Sequence, residues 1–77
     1  MKNIEVALIW YDQRDGQGVV KDHIGNEYYI DSSTLNFDQK QLTTHEGRGV
    51  SKFGLSLLLD LNESIKHCRC GMNVRIK

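Results

Sequence analysis

The 77-residue chain has no proline, only two cysteines and no net charge. Without proline-rich, low-complexity or repeated stretches, nothing marks a linker or a repeat array, and residues 1–77 read as one domain. A domain this small buries only ~60% of its unfolded surface, so its stability margin is thin. Two cysteines cannot supply a disulfide framework. Cys68 and Cys70 stand two apart. On a strand they share a face, and a bridge between such near neighbours is strained. They read as reduced, small buried residues of the last strand. No apolar run approaches the ~20 residues of a membrane-spanning helix. Met1–Trp10 lacks the basic start and long apolar core of a secretory leader. The expected location is therefore the cytoplasm, away from the membrane. No phosphate-binding loop and no Ser-His-Asp or Cys-His-Asp arrangement can be placed, which argues against an enzyme. A structural zinc site needs four ligands, usually in paired Cys-x-x-Cys units. His67-Cys68 with Cys70 does not fit that spacing, so neither a metal nor a cofactor is expected.

Charge is balanced overall but uneven along the chain. Residues 1–38 carry three basic and seven acidic side chains, and residues 39–77 carry seven basic and three acidic. Such asymmetry can create a surface that faces a polyanion, although a barrel interleaves its two halves.

Hydrophobic patterning indicates five short strands and no periodic helix. Ile4–Tyr11 is rich in β-branched and aromatic residues and reads as a strand. Its imperfect alternation suggests that both faces are partly covered. Asp12–Gly16 is a turn, Gly18–Asp22 a second strand, Ile24–Glu27 a tight hairpin and Tyr28–Asp31 a third strand. Ser32–Thr34 predicts a short helical turn. Asn36–Gly49 is the longest loop. Phe53–Leu61 alternates, with Phe53, Leu55, Leu57, Leu59 and Leu61 on one face. Ile65–Ile76 is the last strand region, with Gly71 available for a bulge or bend. The sum is an all-β fold, a small antiparallel barrel or sandwich.

Residues 10–31 carry the most specific signal. Trp10-Tyr11-Asp12 is followed by Asp15-Gly16-Gln17-Gly18-Val19-Val20, and then by Tyr28-Tyr29-Ile30-Asp31-Ser32-Ser33-Thr34-Leu35. The order and spacing resemble the two front-sheet motifs of the cold-shock domain family. Glu46-Gly47-Arg48 and Met72-Asn73-Val74 fall where that family has its loop Glu-Gly-Gln and its last-strand Ala-x-Asn-Val. The resemblance implies a five-stranded antiparallel oligonucleotide/oligosaccharide-binding (OB) barrel that binds single-stranded RNA or DNA. Its departures fall on the binding face. Gln17 and Val19 replace two phenylalanines, Asp31 a histidine, Ser32 a phenylalanine and Asp15 a lysine, while Trp10 is kept and Tyr29 keeps an aromatic ring.

Two functions follow from that implication. In the first, Trp10, Tyr29 and Phe37 stack bases, with Val19 beside them. Gln17, Asp31 and Ser32 contact base edges, and Arg14, Lys21, Lys40, Arg48 and Lys52 meet phosphates. Such a protein would regulate transcription or RNA. In the second, the scaffold has become a protein-binding regulator of the transcription or RNA machinery, which suits the neutral charge and the acidic first motif. Phe37 has a competing role as a plug at the barrel end, and Trp10 or Tyr29 could equally be packed in the core.

Overall fold

Ile4–Asp12 is strand β1, and it lies at the centre of the sheet. The computed structural model describes residues 2–45, 48–61 and 69–77. In it, β2 spans Gln17–Lys21, β3 Glu27–Asp31, β4 Ser56–Leu61 and β5 Gly71–Ile76. The strand order is β3-β2-β1-β4-β5, with every neighbouring pair antiparallel. The sheet curls until its two outer strands approach. Tyr29 donates its N–H to the Arg69 carbonyl at 2.6 Å. Parallel bridges join Tyr29 to Cys70 and Leu35 to Val74. The outcome is an all-β half-barrel whose sheet edges are partly covered, which limits edge-to-edge association.

The concave side holds the core. Val6, Leu8, Tyr11, Val20, Tyr28, Ile30, Leu42, Leu57, Leu59 and Val74 form one cluster. Leu8, Leu42, Leu57, Leu59, Val20 and Val74 are completely buried. Burying such a side chain stabilises by ~1.5–3 kcal/mol relative to exposure, so these six dominate the packing. Leu42 comes from the long connection rather than from a strand, at the end of a 3-10 turn over Gln39–Leu42. That connection is therefore anchored in the core and is not a loose loop. A second 3-10 turn, Ser32–Thr34, follows β3.

Turn chemistry explains the connections. Between β1 and β2, Gly16 takes φ +66, a left-handed conformation that glycine adopts without strain. The Asp12 carboxylate accepts from Arg14 N–H at 2.8 Å and tightens the same turn. Between β2 and β3, the Asp22 carboxylate accepts from the N–H groups of Ile24 and Asn26 and from the Tyr28 hydroxyl. The hairpin thus begins at Asp22 and is longer than the Ile24–Glu27 turn expected from the sequence.

Three expectations need correction. Phe53 is not on a strand: it sits in a turn before β4 and is 77% exposed. Leu55, Leu57, Leu59 and Leu61 do face or flank the core. Cys70 is exposed, not buried. Gly71 is not the bulge of β5. The extra residue lies between Met72 and Arg75, where Asn73 has φ 52. Gly71 is needed instead because a Cβ there would meet Leu59 Cδ2 at 2.7 Å. In β1, partial cover of Ala7 and Ile9 opposite the buried Val6 and Leu8 agrees with the expected cover on both faces, and a register shift adds to the broken alternation. Glu46, Gly47, His67 and Cys68, which figured in the sequence motifs, lie outside the described residues.

Candidate ligand-binding face

A one-residue bulge in β1 creates this face. Leu8 pairs with Val20, yet Trp10 pairs with Val19, so Ile9 is an extra residue on β1. A strict two-residue period would put Val6, Leu8 and Trp10 on one face. The bulge resets the pattern: Val6, Leu8 and then Tyr11 point into the core, and Trp10 is turned outward. Tyr11 is held inside by hydrogen bonds at both ends. Its hydroxyl donates to Gln39 Oε1 at 2.7 Å, and its N–H donates to Ser51 Oγ at 2.7 Å. Burial, with the nearby charges of Asp31 and Asp12, raises the Tyr11 phenol above its ordinary pKa.

Register then sets three rows across the convex side of β1, β2 and β3. Trp10, Val19 and Tyr29 form the middle row. Asp12, Gln17 and Asp31 form the row towards the β1–β2 turn, and Ala7, Lys21 and Glu27 the row on the other side. Trp10 is 45% and Tyr29 60% exposed, whereas Val19 between them is only 8% exposed. The middle row is thus an apolar stripe, a half-exposed ring at each end and a shielded valine between. Glycine at position 18 belongs to the opposite face. A Cβ there would meet the Trp10 carbonyl oxygen at 2.7 Å and Tyr11 Cδ2 at 2.7 Å. It keeps β2 close enough to β1 to set the two rings on one stripe.

An open cleft of about 360 Å³ borders this stripe. Trp10, Gln17, Tyr29, Asp31, Thr34 and Cys70 supply its side chains. Asp31 also caps the 3-10 turn after β3: its Oδ1 accepts from the N–H groups of Ser33 and Thr34 at 2.8 and 3.2 Å. Asp31 N–H donates in return to the Thr34 hydroxyl oxygen at 3.2 Å, completing a capping box, and that hydroxyl donates to the Asp31 carbonyl at 2.8 Å. Ser32 is exposed at the start of this turn, and its N–H donates to the Gly16 carbonyl at 2.8 Å. The β1–β2 turn and the end of β3 are thereby tied together.

The remaining sequence candidates are spread more widely. Arg14 is exposed on the β1–β2 turn and Lys21 at the end of β2. Lys40 and Lys52 are exposed on the long connection. Phe37 is half-buried and packs against the core cluster. Tyr11 and Tyr28 are core residues. Sequence reasoning missed Thr34 and Cys70 as cleft residues. Thr34 could have been found through the Asp31-x-x-Thr34 capping pattern. Cys70 reaches Tyr29 only through closure of the sheet, and no local pattern announces that.

No family model, curated protein or solved structure matches the chain. What the face does must therefore be argued from its own chemistry. It offers two ring surfaces, an amide at Gln17, hydroxyls at Thr34 and Ser32 and the Asp31 carboxylate. Charged groups sit around it: Lys21 and Glu27 on one flank, Asp12 on the other, and Arg69 beside Tyr29 at the sheet edge. Among the described residues, Asp31 is the one charged side chain that lines the cleft itself.

Proposed function

We propose that the Trp10–Tyr29 face binds single-stranded RNA or DNA by base stacking, on a scaffold of the cold-shock OB type. The observation that carries this reading is the pair of half-exposed rings in one cross-strand row, turned outward by the Ile9 bulge. The bulge seats Tyr11 in the core and at the same time presents the tryptophan ring outward, as bulges beside binding sites re-aim side chains. The strand order, with β3 and β5 approaching in parallel, supports the barrel reading. In OB barrels the face of strands 2 and 3 is the usual oligonucleotide platform. Here β2 and β3 contribute Gln17, Val19, Tyr29 and Asp31 to it.

Stacking on each aromatic ring is worth ~1–3 kcal/mol per base. Two rings give a modest platform, and edge contacts must add to it. Gln17 can donate and accept, and the Asp31 carboxylate can accept from an exocyclic amine such as that of cytosine. Phosphates of a stacked strand point away from the rings, so the cations belong at the rim, where Lys21, Arg69 and Arg14 are found. The domain then acts as a non-catalytic cytoplasmic binder that regulates transcription or RNA.

One observation favours the second reading, a protein partner: the cleft is apolar apart from one carboxylate and a few neutral polar groups. A basic peptide segment with an apolar residue would fit that chemistry. Titration with mixed-sequence single-stranded oligonucleotides separates the two. Saturable binding that weakens with salt and is reduced in Trp10→Ala and in Tyr29→Ala supports nucleic acid. No binding at low salt, where phosphate attraction is strongest, directs attention to a protein partner.

A further inference from the structure

A second cleft, of about 460 Å³, opens at the end of β1 and is built from two separate chain segments. The β1–β2 turn contributes Gln13 and Arg14, and the connection after Leu42 contributes Thr43 and Arg48. The two segments are clamped together. Tyr11 N–H donates to Ser51 Oγ at 2.7 Å, and Ser51 Oγ donates back to the Tyr11 carbonyl at 3.0 Å. Ser51 in turn bridges to Thr43.

The cleft holds polar groups that nothing in the described chain satisfies. Thr43 is only 4% exposed, and its hydroxyl has no hydrogen-bond partner among the described residues. The Gln13 side-chain oxygen is also buried and unpartnered there. Buried polar side-chain atoms are paired in the large majority of cases, so two orphans in one cleft require an explanation. Among the described residues, neither the Arg14 nor the Arg48 guanidinium has an ion-pair partner. Asp12 is the acid that lines the cleft, and its Oδ1 already accepts from Arg14 N–H. Among the described residues, two guanidinium cations and one such acid line the cleft.

These groups define a ligand chemistry. Two guanidinium forks call for anionic oxygens, which a phosphate supplies. The Gln13 oxygen only accepts and calls for a hydroxyl or amine donor, and the Thr43 hydroxyl can serve either partner. A phosphate with a sugar hydroxyl a few bonds away has both. The location fits as well: Asp12 of this cleft pairs directly with Gln17 of the Trp10–Tyr29 cleft, so the two clefts meet along one cross-strand row. We infer that this second cleft is a phosphate-and-sugar subsite for the nucleotide next to the stacked bases. This inference rests on the nucleic-acid reading of the Trp10–Tyr29 face.

The test uses the full chain and two arms. In the first, a ribose mononucleotide is titrated and followed by the amide resonances of Thr43 and Arg48, in wild type and in Trp10→Ala. The expected result is a saturable shift of both resonances that survives Trp10→Ala. It is abolished in the double variant Arg14→Gln/Arg48→Gln and weakened in Thr43→Val, whose melting temperature stays at or above that of wild type. Unmoved resonances in wild type, or an unchanged response in the double variant, overturn the subsite. In the second arm, tri- and hexaribonucleotide affinities are compared across salt. The gain with length should vanish in the double variant, and its logarithmic salt slope should fall by about 0.7 for each phosphate that is no longer neutralised. An unchanged slope and length dependence also overturns the subsite. If the stacking face fails, Trp10→Ala leaves oligonucleotide affinity unchanged while the mononucleotide arm still decides the second cleft.

Discussion

Substituting Gly18 is the sharpest perturbation of the architecture. A Cβ at this position lies 2.7 Å from the Trp10 carbonyl oxygen, 2.7 Å from Tyr11 Cδ2 and 3.2 Å from Tyr11 Cα. A tolerable carbon–oxygen contact begins near ~3.3 Å, so the overlap is about 0.6 Å. Two of the three obstructing atoms are β1 backbone. They cannot swing aside, because Tyr11 is fastened at its N–H and carbonyl by Ser51 and at its hydroxyl by Gln39. Overpacking of this kind costs ~1–3 kcal/mol, and a backbone clash belongs at the upper end. For a domain of this size each kcal/mol moves Tm by ~4–8 °C, so Gly18→Ala should lower Tm by about 10 °C or more. Gly18→Val adds two further methyl groups and should leave little folded protein. Gly71→Ala is the internal comparison. Its Cβ also meets an atom at 2.7 Å, but that atom is the terminal Cδ2 of Leu59, which can rotate. The destabilisation there should be about 1 kcal/mol. Thermal melts by far-ultraviolet circular dichroism, with urea midpoints as a check, read both. A Gly18→Ala protein melting within ~2 °C of wild type, or above Gly71→Ala, would refute the close-approach argument.

Further outcomes are expected. Leu57→Ala, which empties a fully buried position, should cost ~2–5 kcal/mol and leave the chain largely unfolded at 37 °C by circular dichroism. Trp10→Ala and Tyr29→Ala should each weaken single-strand binding by ~1–3 kcal/mol, roughly 5- to 150-fold, with Tm little changed because both rings are half-exposed. Asp31→Ala should cost ~1 kcal/mol by removing the cap on the Ser32–Thr34 turn, and Asp31→Ser should restore stability. Any binding deficit that persists in Asp31→Ser then reports the base contact alone. Asp60 governs acid stability. Its carboxylate accepts from the Asn73 side chain, from Asn3 N–H and from Arg75, which together lower its pKa from 3.8 to about 2. A carboxyl with a depressed native pKa stabilises fully above its unfolded value, and that contribution fades as pH falls towards 2. Asp60→Asn should therefore be less stable than wild type at neutral pH, with the gap in urea midpoint closing between pH 4 and 2. A gap that stays constant across that range would contradict the assignment.

Much of the architecture was legible because it depends on local chemistry. The Asp12–Gly16 turn, the 3-10 turn at Ser32–Thr34 and the alternating Leu55–Leu61 segment each follow from residue type and period. What escaped depends on long-range contacts. The bulge at Ile9 is invisible in the chain, since IEVALIWY offers apolar residues in either register. Only pairing with β2 decides that Tyr11 enters the core and Trp10 leaves it. Phe53 extended the period of β4 by one step, yet the Ser51–Tyr11 clamp and the bond from Gly54 N–H to the Leu8 carbonyl turn the chain before the strand begins. Asn73 supplies the β5 bulge because its side chain donates to Asp60, a partner thirteen residues away. Cys70 is exposed because the bridge to Tyr29 places it at the sheet edge. For the candidate site, Trp10, Gln17, Tyr29 and Asp31 were identifiable from their motif positions. Thr34 and the Gln13–Thr43 cleft emerge only once the turn and the long connection are packed together.

Intrinsic fluorescence of Trp10, the single tryptophan, tests the central claim most directly. Single-stranded RNA and DNA are titrated at low and moderate salt, with Tyr29→Ala as the paired variant. The stacking account predicts saturable quenching that weakens as salt rises and an affinity reduced about fivefold or more by Tyr29→Ala. Fluorescence that does not change at low salt with either nucleic acid would contradict it.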